Sequence, residues 1–144
     1  MLEMCEVILK IVLLIGLFYI AWCDYRTKLI ETKWLWIIGG FGVVLLLPHS
    51  GIGIVWRVFA GTLPGWMLLI LAWVSGESIG FGDGWLFVVT GIFLGLKKNA
   101  VLLLGSLILA GVFAIVCLVL KKKEKNDRIA LAPFVLAAYV GVVL

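Results

Sequence analysis

The sequence predicts an all-α, polytopic integral membrane protein with about six transmembrane helices, and three observations carry that prediction. The chain of 144 residues is 65% hydrophobic and 14% charged, whereas soluble domains carry roughly a quarter charged residues. Its mean hydropathy is +1.25, more apolar surface than a water-soluble fold of this length can hide, so a lipid bilayer must solvate much of it. The third observation is arrangement: six apolar runs alternate with short stretches that hold most of the basic residues. The whole of 1–144 reads as one membrane-embedded domain, without a linker, repeat or low-complexity tract.

The first span is placed at Val7–Trp22. Glu3 and Glu6 precede it, so it lacks the basic start of a signal peptide, and no small-residue cleavage site follows. The second runs over Trp34–Leu47 and the third over Ile54–Val74. Trp22, Trp34, Trp56, Trp73 and Trp85 lie close to proposed ends, where indoles favour the membrane interface. Pro64 is expected to kink the third span. The fourth, Trp85–Leu96, would cover only about 18 Å of a core roughly 30 Å thick; it either starts below the surface or is re-entrant. Ala100–Leu120 is the fifth, and Ile129–Leu144, with Pro133 near its start, the sixth. Gly61 and Gly65, and Gly91 and Gly95, have the spacing that lets membrane helices approach closely.

Six spans put connectors one, three and five on one side. The first holds Arg26, Lys28 and Lys33, and the fifth holds Lys121, Lys122, Lys123, Lys125 and Arg128, against Arg57, Lys97 and Lys98 near the other side. This asymmetry orients the odd connectors to the cytoplasm and both termini outward. The basic blocks match no groove-binding helix or stacking sheet, so nucleic acid is not an expected partner despite the net charge of +4. Cys5, Cys23 and Cys117 are isolated, lack C-x-x-C spacing and read as apolar fillers; no metal and no cofactor is expected.

Two acids stand apart. Asp24 follows the first span in "AWCDYRTKLI", and Asp83 precedes the fourth in "GFGDGW". They are 59 residues apart, and two crossings lie between them, so both face the same side. Two carboxylates held close cannot both ionise cheaply and share a proton. One can then take a proton from water while the other donates to a carbonyl oxygen, the chemistry of metal-free peptide hydrolysis. Gly80 and Gly82 remove the Cβ atoms that would keep a peptide from approaching Asp83.

These residues resemble those of the type IV prepilin peptidase family, membrane aspartyl proteases with a G-x-G-D motif. The resemblance rests on an ordered set: an aspartate after an early span followed by basic residues, here "DYRTKLI"; G-x-G-D before a later span, here "GFGDGWLF"; and a last span with a proline–phenylalanine pair, here "RIALAPFVLAAYVG". It implies that Asp24 and Asp83 are the catalytic pair and that Gly80 and Gly82 are the motif glycines. It further implies a multi-pass enzyme of the inner (cytoplasmic) membrane that removes short leaders from type IV prepilins or pseudopilins at the cytoplasmic interface, without the methyltransferase region of longer members. The chain departs from the family at Ile30-Glu31-Thr32, where an isoleucine–proline–asparagine turn is usual, and at Trp85, where lysine is common.

Glu31 and Glu77 are candidates to attract a basic leader, set against a reading as solvated loop acids. Two other functions compete for the aspartates. In a small proton-coupled transporter they would form a relay, but only Thr62, Thr90 and Ser106 continue polar character through the spans. In a membrane scaffold without chemistry both would tolerate asparagine.

Overall fold

The computed structural model describes residues 2–49, 51–76, 79–121 and 129–143. These form five α-helices: α1 (Leu2–Thr27), α2 (Thr32–Leu46), α3 (Ile52–Val74), α4 (Phe81–Val119) and α5 (Ala132–Val143), with one 3-10 turn at Leu47–His49. The class is all-α as expected, but the expected count of about six is corrected to five. Trp85–Leu96 and Ala100–Leu120 are joined without a separate connector into one element, α4, whose backbone departs from helical geometry at Gly95 (φ 75°, ψ 174°). By length and composition, α1, α3 and α4 are long and apolar enough to cross a membrane, while α2 and α5 are shorter apolar helices.

Gly95 is a reversal. The Asn99 side-chain amide donates to the Phe87 carbonyl at 2.9 Å, although twelve residues of straight helix would separate them by about 18 Å. α4 therefore doubles back into two arms, and a single glycine suffices because its backbone conformation is closed to residues with a Cβ. The first arm, from Phe81 to Leu94, is about 20 Å long. It is longer than expected because the helix already begins at Phe81, which takes Asp83 into its first turn.

α3 packs more extensively on α4 than any other pair of helices. The two glycine pairs singled out in the sequence meet here: Gly61 lies against the Gly91 carbonyl and the Gly95 Cα, and Gly65 against the Val88 backbone nitrogen. A Cβ on Gly61 or Gly65 would strike backbone that cannot yield. The helix runs on through Pro64, which is buried. Asn99 closes the hairpin from within: its amide also donates to the Gly61 carbonyl at 2.8 Å, and its Oδ1 accepts from the Thr90 hydroxyl at 2.7 Å. Thr90 and Asn99 have no solvent exposure, so these bonds satisfy polar groups that burial would otherwise penalise.

In α1, the buried residues Leu9, Leu13, Leu17, Ile20 and Ala21 form one helical stripe. Continued by one turn, the stripe reaches Asp24. Ile11, Ile15, Phe18 and Trp22 form an exposed apolar face opposite it, as a lipid-facing surface should. Asp24 thus points into the bundle because its spacing places it on the core side of its helix.

Candidate active site

Four pieces of chain meet at one end of the bundle: the last turn of α1, the α1–α2 connector, the first turn of α4 and the start of α5. α1 stops at Lys28, whose φ of 53° takes the left-handed conformation that ends helices and whose N–H reaches the Asp24 carbonyl at 2.7 Å. The Asp24 side chain is only 4% exposed. Its Oδ2 accepts the Ala132 N–H at 3.0 Å, and the Leu131 amide also faces the carboxylate. Asp24 therefore caps α5 from a helix 108 residues earlier in the chain. A carboxylate suits that position, since the free N–H groups of a helix N-terminus carry partial positive charge. Pro133, with no N–H to satisfy, fits in the same turn.

Asp83 is half-buried in the first turn of α4, and its N–H donates to the Gly80 carbonyl at 3.1 Å. It lies within electrostatic reach of Asp24, so the two sequence-predicted aspartates lie at the same end of the bundle. The motif glycines serve close contacts within the chain itself. A Cβ at Gly80 would stand 3.1 Å from the Asp83 carboxylate, and one at Gly82 would stand 2.8 Å from the Cβ of Ile30. The next glycine, Gly84, makes room in the same way for Leu69 of α3. Gly82 thus seats the α1–α2 connector on α4 and sets the separation of the helix ends that carry the aspartates.

Glu31 lies at the same end as the exposed N-cap residue of α2, and its side chain makes no capping bond. Glu77 and the basic residues Lys122, Lys123, Lys125 and Arg128 lie outside the described residues. Among the described residues there is no group of three or more His, Cys, Asp or Glu side chains able to hold a metal ion. What this end of the bundle offers chemically is a pair of carboxylates, one fixed by backbone amides and one at the lip of a glycine-rich turn.

The family model of the type IV leader peptidase family matches residues 11–115. The chain belongs to that family. No curated protein and no solved structure matches it. This type IV leader peptidase is therefore a protease, and its long apolar helices make it a membrane protein. The match includes both aspartates but ends before α5, so the amides that hold Asp24 lie outside the matched segment.

Sequence reasoning missed three participants. Ala132 acts through its backbone, and only Pro133 after it hints at a helix start. Ile30 is an ordinary loop isoleucine until Gly82 is seen beneath it. Trp85, read as an interface residue and a departure from the family, packs on Trp36 at 4.8 Å and on Trp66 at 6.0 Å between ring centroids.

The Gly82 contact makes a specific prediction. Gly82→Ala should destabilise the leader peptidase by about 1–3 kcal/mol through overpacking. Because the nearest atom is the Cβ of Ile30, Ile30→Gly should relieve the clash and Ile30→Ala should not. Thermal denaturation of the two double mutants separates them, and equal behaviour would show that this contact does not set the spacing.

Proposed function

We propose that this leader peptidase is an aspartic-type endopeptidase that removes short N-terminal leaders from type IV prepilins or pseudopilins, with Asp24 and Asp83 activating water between them. The observation that supports it most is that Asp24 and Asp83, 59 residues apart, lie within electrostatic reach of each other at one end of the bundle. One carboxylate takes a proton from water as the hydroxide oxygen bonds to the scissile carbonyl carbon, while the protonated partner gives its proton to the carbonyl oxygen. Collapse of the tetrahedral intermediate breaks the C–N bond, and the leaving nitrogen receives the proton first taken from water. The basic residues of the connectors support a position of this end at the cytoplasmic face of the inner membrane.

A relay is less well supported. Thr90 and Ser106 are engaged with nearby carbonyls or with Asn99, and so do not form an open polar path. The deciding test is cleavage of a model prepilin in liposomes. A mass shift equal to loss of the leader supports the reading, and an uncut panel of pilin-like substrates with folded enzyme overturns it.

Glu31 has an exposed carboxylate beside the site and no capping duty. Its role as an attractor of basic leaders predicts that Glu31→Gln raises KM about threefold at low salt, with the difference lost at high salt as screening removes the attraction. Equal KM values at low salt would remove Glu31 from leader binding.

A further inference from the structure

α2 and α3 each pack on α4 but not appreciably on one another. Between them lies a groove of about 560 Å³, floored by the first arm of α4 through Trp85, Val88 and Ile92. It runs from Trp36 and Trp66 at the candidate-site end to Leu46 and Val55 at the other, about 15–18 Å along the helices. Thr62 is the one uncharged polar side chain among its lining residues, and none of them is charged. The rings of Trp36, Trp85 and Trp66 stand across its upper end, and Trp85 is two residues from Asp83.

We infer that this groove receives the apolar helix of the substrate that follows the cleaved bond. The inference rests on the leader-peptidase reading, because an enzyme of that kind must hold a chain that is polar before the cut and membrane-embedded after it. The groove is apolar along its whole length, is open sideways between two helices, and ends beside the carboxylates, so a helix can enter it from the bilayer without desolvating a charge. Its length matches three turns of α-helix. Residues two apart on a helix point to nearly opposite sides, so Trp85 faces the groove while Asp83 faces Asp24. A chain leaving the groove therefore crosses the end of α4 at Gly80, a passage of roughly three extended residues. The docked helix thus begins a short extended stretch beyond the scissile bond.

The test uses the full chain in liposomes and two peptide probes. One carries a basic leader ending in glycine and an apolar helix long enough to span the bilayer; the other keeps the leader and only the first apolar turn. A photo-crosslinking residue replaces Val55 in the groove or Ile108 on the second arm of α4, both well exposed at 63% and 65%. The long probe should be captured at position 55 and not at 108, in wild type and in Asp83→Asn alike. Val55→Trp, which fills the groove, should raise KM for the long probe about tenfold with kcat unchanged and leave the short probe unaffected. Capture of lipid alone or of a second copy at position 55, equal capture at both positions, or the same KM change for both probes would overturn the inference. Cleavage without capture at 55 removes the groove and leaves the peptidase; capture without cleavage leaves a helix-binding groove and removes the peptidase reading.

Discussion

Asp83→Asn is expected to lower the single-turnover rate of leader cleavage by about 10³-fold, the range over which a general acid–base group acts, while the protein keeps its melting temperature in detergent. Asp24→Asn should lose as much activity for the same reason, yet it tests something more. Asparagine retains an acceptor oxygen for the Ala132 amide, so the cap on α5 survives while the ionisable group is gone. Asp24→Ala removes both, and should lose the same activity and, in addition, about 1–2 kcal/mol of stability, as loss of a helix cap does. Three variants thus separate chemistry from capping: equal losses in rate, unequal losses in melting temperature. An Asp24→Asn enzyme that cleaves at the wild-type rate would leave Asp24 with the cap as its whole role.

Asn99→Ala carries the largest expected effect on stability. It removes the Asn99 bonds to the Gly61 and Phe87 carbonyls and to the Thr90 hydroxyl at once, leaving Thr90 and Phe87 only their own 3.2 Å contact, in a place with no access to water. At roughly 1 kcal/mol per bond, and more where a buried group is left unsatisfied, the loss should reach about 3 kcal/mol. Ser106→Ala is the control, because Ser106 bonds to the Leu103 carbonyl within its own helix and should lose about 1 kcal/mol or less. Thermal denaturation in detergent compares the two. Equal losses would mean that Asn99 does not hold the hairpin closed.

The parts of this protein legible in its sequence are those governed by local pattern or by parity. Counting apolar runs leads to the expectation that Asp24 and Asp83 share a side, and the two lie at one end of the bundle. The glycine pairs announce close helix contact because only small residues permit it, although which pair meets which was open until Gly61 was found against Gly91. The helix count went wrong at one residue. Lys97 and Lys98 look like a connector, but the chain stays helical through them and turns earlier, at Gly95; a one-residue reversal has no composition to read. The amide that holds Asp24, the isoleucine over Gly82 and the role of Asn99 were illegible for a common reason. Each is a contact between distant segments made through backbone or an unremarkable side chain, with no periodic trace in the sequence.

The hydrogen bond from Ala132 to Asp24 also orders events in time. During synthesis the first carboxylate emerges long before the amides that fix it, and α2, α3 and the α4 hairpin are all made in between. A nascent chain that has inserted its first four helices holds both aspartates but not the backbone that orients one of them. Under the proposed mechanism the geometry of the pair is therefore complete only once α5 has joined the bundle, and a chain that has made α1 to α4 alone carries both carboxylates without the order that cleavage needs.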